Sequence, residues 1–290
     1  MLLNGSLLAG KIRRKLKIQI KTSNVKPGLA IILVGDDSAS CLYVKLKSIA
    51  ASEVGIYFEQ HWFPVTVSEK EIIDLINKLN RSENIHGILV QLPLPSKFNQ
   101  DRIIVTIKPC KDVDGFCSKN LKNLVRIKTT SELSTNHIII PALIRGILEL
   151  IKLVKIKLAT KKAVIICNSQ VFATPMAHLL QLAKMSVAVC VRFSGLPKDK
   201  LYTITKDADL LIVAIGSPRF VVKDMVKLNS IIIDIGTNQI GNGTVGDVDF
   251  DAVKNKVSAI TPVPGGVGPM TIACLLQNTY EATILAQENN

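Results

Sequence analysis

Tyr43 and Lys47 stand four apart in a stretch whose apolar spacing predicts a helix, so ring and amine share one side of it. A ring of that kind can stack on a flat heterocycle while the amine moves protons. For that the amine must be neutral part of the time, which takes burial or a nearby cation. Taken alone, the pair reads more readily as a surface lysine beside a half-buried tyrosine, and Lys45 reads as a surface residue. Gln91 places an amide at the carboxyl end of the strand expected at Gly87 to Val90, where ligands collect in open α/β sheets. Asp114 sits on a turn forced by Gly115, and its carboxylate can accept paired hydrogen bonds from a heterocycle edge. Singly, each of these is ordinary loop chemistry. The run from Thr261 to Met270 is the least ordinary, with three prolines and three glycines leading directly into a helix. Its glycines let backbone approach a ligand closely and its prolines fix the loop in advance.

Positioning these groups falls to short β-branched runs that alternate with amphipathic stretches, the pattern of an α/β fold with a mainly parallel sheet. Strands are expected at Leu29 to Val34, Ile56 to Trp62 and Gly87 to Val90, with a helix from Ser40 to Val54 between the first two. Leu42, Leu46, Ile49 and Ala50 give that helix an apolar face, and Gly55 terminates it. Ser68 and Glu71 form a capping box ahead of a helix whose buried stripe is Ile72, Ile73, Leu75, Ile76 and Leu79. The second half repeats the alternation. Helices are expected at Ala142 to Val154 and Pro175 to Met185, with strands at Ala163 to Ile166, Val187 to Val191, Leu210 to Ile215 and Ile231 to Ile235. Asn242-Gly243 makes a tight turn before Thr244 to Val248, and the last helix runs from Met270 to Gln287. Polar, aperiodic sequence from Ser118 to His137 marks a boundary between two domains.

Composition narrows the function classes. The net charge of +13 is scattered, with no basic run interleaved with aromatics, so a solvated basic surface fits better than a nucleic-acid interface. Charge interrupts every apolar run before the roughly 18 to 20 residues needed to span a bilayer. The N-terminus is apolar and then basic, the reverse of a secretory signal, which points to a cytoplasmic protein with no membrane partner. Six cysteines and four histidines lack metal-ligand spacing, so buried reduced thiols and no metal are expected.

Four motifs occur in one order at compatible distances: Tyr43-Val44-x-x-Lys47, Gln91-Leu92-Pro93-Leu94-Pro95, Lys111-Asp112-Val113-Asp114-Gly115 and the run Pro262 to Met270. Together with Val34-Gly35-Asp36, Ile233-Asp234-Ile235-Gly236 and Val245-Gly246-Asp247-Val248, they cover nearly the whole chain. The chain resembles the bifunctional methylenetetrahydrofolate dehydrogenase (NADP+)/methenyltetrahydrofolate cyclohydrolase family. That resemblance implies a folate-binding catalytic domain at 1–138, with the helix at 270–290 packing back on it. It also implies a Rossmann-type NADP-binding domain at 139–269 and a folate/nicotinamide cleft between the two. Lys47 would be the catalytic lysine of the cyclohydrolase step, tuned by Gln91, with Asp114 holding the pterin. Tyr43 and Val44 would bind the folate, and Pro262, Gly265, Gly266 and Pro269 would line its site. Asn168, Ser169, Gln170, Arg192, Ser194, Gly216 and Thr237 would bind NADP. A homodimer is implied as well, and a place in tetrahydrofolate interconversion upstream of purine biosynthesis.

The cofactor half departs from the family. Where the family has the turn G-x-S-x-x-V-G-x-P, Cys167 and Ala173 replace the two glycines while Ser169 and Pro175 match. Where it has P-C-T-P-x-G, this chain reads Pro141-Ala142-Leu143-Ile144-Arg145-Gly146. A Cβ at either glycine position can obstruct the approach of phosphate to the helix N-terminus. Two readings of the activity therefore stand side by side: both reactions persist, or only the cyclohydrolase does. A non-catalytic folate-binding protein is a third, and the presence of Lys47 speaks against it. No acid accompanies Arg192 and Ser194 after their strand, which favours NADP over NAD.

Overall fold

The computed structural model describes residues 1–135, 137–191, 198–241 and 243–288. Its contacts fall into two compact units: one of residues 9–126, 135–142 and 271 onward, the other of residues 1–8, 127–134 and 143–270.

Helix α1 (Gly5–Ser23) precedes strand β1 (Gly28–Val34), whose every residue is buried. Helix α2 (Ser38–Val54) follows, opened by Asp37, whose side chain accepts from the Ser40 N–H at 2.8 Å, and closed by Gly55 at φ 89°. Strand β2 (Tyr57–Phe63), helix α3 (Glu69–Arg81) and strand β3 (Gly87–Val90) complete a parallel sheet in the order β2-β1-β3. Central placement explains the unbroken apolar run of β1, since a strand flanked on both edges and covered on both faces has no polar side. The capping box of α3 is present, with Ser68 and Glu71 satisfying each other's backbone N–H groups. Ile72, Ile76 and Leu79 pack with Ala30, Ile32, Ile88 and Ile103, the last from helix α4 (Gln100–Val105).

Helix α2 is rotated relative to the expected face. Leu42, Leu46 and Ile49 are exposed, whereas Val44, Lys47, Ala50, Ala51 and Val54 are buried. Bulk hydrophobicity pointed to the leucines, but the buried face is built from small and β-branched residues and one amine. The catalytic candidate thus lies on the covered side itself, at 7% exposure.

Helix α5 (Ser118–Leu124) ends the first stretch. The short helix α6 (Glu132–Thr135) and α7 (Ala142–Lys152) lead into strand β4 (Lys162–Cys167), helix α8 (Gln170–Leu182) and strand β5 (Ser186–Val191). Helix α9 (Lys198–Lys206), strand β6 (Leu210–Ala214) and strand β7 (Ile231–Asp234) follow. Then come the antiparallel pair β8 (Asn238–Ile240) and β9 (Gly243–Val245), helix α10 (Phe250–Val253), strand β10 (Ala259–Ile260) and helix α11 (Val267–Glu288). Strands β8 and β9 pair with Ile240 opposite Gly243; the turn expected at Asn242-Gly243 falls on Asn242, which lies outside the described residues. The five-stranded sheet runs β10-β7-β6-β4-β5, all parallel. The chain leaves β4 outward to β5 and returns to β6 on the other side of β4, which makes a topological switch point between β4 and β6.

Two helices begin earlier than expected. Helix α8 opens at Gln170, capped by Ser169, and Pro175 lies inside it; a side-chain oxygen that accepts the Phe172 N–H outweighs the proline as a start signal. Helix α11 opens at Val267, so Gly268 and Pro269 form its first turn, where a missing N–H costs little. Cys117, Cys167, Cys190 and Cys274 are buried free thiols, but Cys41 is half-buried and Cys110 exposed, against the expectation of uniform burial. Cys110 belongs to a single helical turn at Pro109–Lys111 on the surface.

Asp112, buried at 2% exposure, folds the loop that carries Asp114. Its carboxylate accepts from the Gly115 N–H at 3.1 Å, the Cys117 N–H at 2.8 Å and the Asn120 amide at 3.0 Å. Gly115, at φ 82°, meets the backbone of Pro141 so closely that a Cβ would stand 2.7 Å from the Pro141 Cα. The Asn278 amide of α11 donates to Val113 O at 2.8 Å and Ile140 O at 3.0 Å, securing the same loop. Replacing Asp112 with Asn turns one acceptor into an NH2 that faces N–H donors. The expected cost is about 1–3 kcal/mol in denaturant unfolding; a loss below about 0.5 kcal/mol, the level of an ordinary surface change, would remove Asp112 from this role.

Candidate functional site

Two sets of side chains carry chemistry, one in each unit. In the first, Lys47 Nζ donates to Gln91 Oε1 at 2.8 Å. Gln91 follows directly on β3, and its backbone N–H extends the ladder by donating to Ile32 O at 2.8 Å. Its amide is oriented by its own Nε2, which donates to Leu92 O at 2.9 Å, so the oxygen and not the NH2 faces the lysine. Burial lowers the Lys47 pKa, and the negative charge of Asp114 partly opposes that shift. The Asp114 carboxyl is pushed up to about 6, by desolvation first, against the attraction of Lys47 and with the help of Asp112. Amine and carboxyl therefore interact electrostatically, each held away from its ordinary value by loss of water. Tyr43, half-buried, precedes Lys47 by one helical turn, and Val44 beside it is packed into the interior.

Lys47, Gln91 and Asp114 are thus brought together from α2, the end of β3 and the Asp112 loop. A neutral amine with one N–H committed to an amide keeps its lone pair free to accept a proton. An ionised carboxylate nearby can accept from two N–H groups of a planar ligand.

The second set stands at the carboxyl ends of β4 and β6. Asn168, Ser169 and Gln170 are exposed there, at the entrance to α8. The replacement side chains Cys167 and Ala173 are fully buried, and the Cys167 thiol donates to Ser169 O at 3.4 Å. Both small side chains pack inward and leave the capped helix N-terminus in place, with the Phe172 N–H held by Ser169 and Gln170 and Val171 at its exposed end. Gly216 has φ 66° and nothing within 4 Å of where a Cβ would be, so the turn after β6 is open to a close-lying ligand. Asn168 Nδ2 donates to Ile215 O at 2.6 Å and ties the β4 and β6 turns together. Thr237 is exposed just past β7. Arg192 and Ser194 lie outside the described residues. These features fit the pyrophosphate and sugar edges of a dinucleotide.

The loop at 262–269 is held within its own unit. Ser6 N–H donates to Gly265 O at 2.9 Å. A Cβ on Gly266 would stand 2.5 Å from Pro262 O, which accounts for a glycine there. Pro262, Gly265 and Pro269 are half-buried and Gly266 is buried.

Sequence reasoning overlooked the supporting acids. Asp112 was visible only as part of a motif, and Asp234 and Asp247 only as part of a resemblance. Both of the latter are buried, at 3% and 0% exposure. Desolvation pushes Asp234 up to about 7, opposed by the N–H groups of Val248, Asp247 and Gly236 that it accepts. Glycines on either side were the available signal. A Cβ on Gly246 would stand 1.8 Å from Asp234 Oδ2, and one on Gly236 2.2 Å from the Asp247 carboxyl carbon.

Comparison with known proteins bears on both sets of side chains. The model of the tetrahydrofolate dehydrogenase/cyclohydrolase catalytic domain matches residues 3–114, and that of the NAD(P)-binding domain of the same family matches 141–287. A curated relative, the bifunctional protein FolD of Lactococcus lactis subsp. lactis (strain IL1403), is 41% identical over 100% of this chain and 99% of its own. The FolD of Nautilia profundicola is 43% identical over 97% of this chain and 96% of its own. Among solved structures, the FolD methylenetetrahydrofolate dehydrogenase/cyclohydrolase from Campylobacter jejuni is 41% identical, with a TM-score of 0.90 over 99% of both chains. The FolD of Trypanosoma brucei, solved with NADP cofactor and an inhibitor, has a TM-score of 0.92 at 28% identity, covering 99% of this chain and 98% of that one. With both domain models matched in order and relatives above 40% identity from end to end, the chain belongs to the tetrahydrofolate dehydrogenase/cyclohydrolase family.

Proposed function

We propose that this protein oxidises 5,10-methylenetetrahydrofolate to 5,10-methenyltetrahydrofolate with NADP+ and hydrolyses the product to 10-formyltetrahydrofolate. The observation that carries the reading is the buried amine of Lys47, held by the Gln91 carbonyl at 2.8 Å beside a desolvated Asp114. NADP, when bound, supplies the acceptor for the hydride.

Hydrolysis follows from the same geometry. As water adds to the electrophilic methenyl carbon, a C–O bond forms and neutral Lys47 accepts the departing proton. The remaining hydroxyl proton moves to the adjacent ring nitrogen as its C–N bond breaks, leaving the formyl group, and the lysine's proton passes to solvent. Gln91 orients the amine throughout. Asp114 holds the pterin by its amino-pyrimidinone edge, Tyr43 stacks on its ring, and Val44 shapes the floor behind Tyr43. Pro262, Gly265, Gly266 and Pro269 are proposed to line the folate as well. Asn168, Ser169, Gln170, Gly216 and Thr237 are proposed to hold NADP, and Arg192 and Ser194 its 2′-phosphate.

Loss of the dehydrogenase reaction would follow from an obstructed phosphate turn. The inward packing of Cys167 and Ala173 supports retention of both reactions. The division proposed is a folate-binding catalytic domain at 1–138 with the terminal helix, and an NADP domain at 139–269. Resemblance supports three further proposals: a homodimer, a cytoplasmic location and a role feeding purine biosynthesis. Among the described residues no helix is long and apolar enough to cross a membrane.

A coupled assay on methylenetetrahydrofolate with and without NADP+, run beside direct hydrolysis of methenyltetrahydrofolate, tests both reactions. In Lys47→Met the hydrolysis rate should fall by about 10²- to 10⁴-fold, and near-normal turnover would remove Lys47 from its role. Asp114 must be ionised to accept from the pterin, so folate KM should rise as pH falls through about 6. That break should disappear in Asp114→Asn, whose KM would be high at every pH; an unchanged break would assign it to another group.

A further inference from the structure

Asp247, just past β9, is among the most heavily used side chains in its unit. Its carboxylate accepts from three consecutive backbone N–H groups, Ile215 at 2.7 Å, Gly216 at 3.1 Å and Ser217 at 2.8 Å, and from the Asn238 amide at 2.9 Å. Its own N–H donates to Asp234 Oδ1 at 3.0 Å. Gly236 leaves the space it occupies, and Gly246 leaves the space for Asp234 behind it.

Three successive N–H groups turned toward one buried acceptor make a nest, a shape that ordinarily receives an external anion. Here the protein's own carboxylate fills it. The turn at 215–217 therefore has no free N–H at those positions to offer a phosphate, and a carboxylate lies behind it. By contrast, the start of α8 across the switch point commits its Phe172 N–H to the Ser169 cap but presents Gln170 and Val171 at an exposed end. Strand order completes the division. On the reading above, the 2′-phosphate side of the dinucleotide lies toward β5, on one side of β4, and β6 lies on the other. The surface over Gly216 is bare, with nothing within 4 Å of a would-be Cβ.

We propose that Asp247 is a positioning residue for dehydrogenation: by occupying the nest it shapes the β6 turn into a platform without free N–H donors for the nicotinamide half of NADP, leaving the phosphates to the β4–α8 turn. The proposal rests on the NADP reading of this site.

Calorimetric titration of wild type and Asp247→Asn with NADP+ and with adenosine 2′,5′-bisphosphate, which lacks the nicotinamide half, separates the roles. The amide preserves volume but sets an NH2 against backbone donors. The expected result is a Kd for NADP+ raised at least about tenfold, since hydrogen bonds to a charged acceptor are lost, with the fragment's Kd within about twofold. NADP+ KM should rise in parallel. Equal weakening of both ligands would mean that Asp247 merely supports the unit, and unchanged NADP+ binding would mean that it has no part in the turn's shape; either overturns the proposal. A wild type that binds neither ligand would overturn the NADP reading, and the proposal with it. Should the variant fail to fold, amide hydrogen exchange in the wild type decides. Exchange at Ile215, Gly216 and Ser217 should be slow without cofactor and little altered by it, whereas loop-like rates would overturn the assignment.

Discussion

Everything attributed to the folate side depends on one lysine amine losing its water. Lys47 is on the face of α2 that packs inward, and an ammonium there is disfavoured relative to an amine. Asp114 pulls the other way, so the amine is poised by two opposed effects rather than simply neutralised. Small residues on the same face, Ala50 and Ala51, let the helix lie close enough for burial to be effective. Gln91 then gives the amine one partner without giving it a charge.

A second device recurs in both units. A buried carboxylate accepts several backbone N–H groups of a loop and so determines its shape: Asp112 for the loop bearing Asp114, and Asp247, backed by Asp234, for the turn after β6. Such groups satisfy donors that neither sheet nor helix would use, and they do so without a second side chain for each bond. Each demands space, which is why glycine stands at 236 and 246. The chemistry-bearing residues are thus held by loops as firmly as by secondary structure.

Much of this was legible in the order of residues. Continuous apolar runs located β1, β4, β6 and β7 to within a residue or two at either end, because they are short and rich in β-branched residues, which separates a buried strand from a buried helix. The capping box of α3 announced itself for a different reason: its bonds are local. The face of α2 was misread because Leu42, Leu46 and Ile49 outweigh alanines on any hydropathy count, and only the sheet decides which side is covered. The start of α8 was misplaced because a proline is a louder signal than a serine cap. Lys47 and Gln91 are 44 positions apart, and no periodicity links them; only motif resemblance proposed the pair that the fold brings within 2.8 Å. The hubs at Asp112 and Asp247 were harder to read, since most of a carboxylate's partners there are backbone groups, identical at every residue, and at Asp247 the flanking glycines were the one trace.

The rotation of α2 makes two of its lysines chemically unlike. Lys45 stands in solvent only two residues from Lys47 in the same helix, roughly half a turn around its axis. Near neutrality an exposed amine is almost wholly protonated and inert toward electrophiles, whereas a desolvated one retains its lone pair. A small acylating reagent able to enter the site would accordingly favour Lys47 over Lys45. The environment that equips the residue for proton transfer also makes its amine more nucleophilic than that of its exposed neighbour.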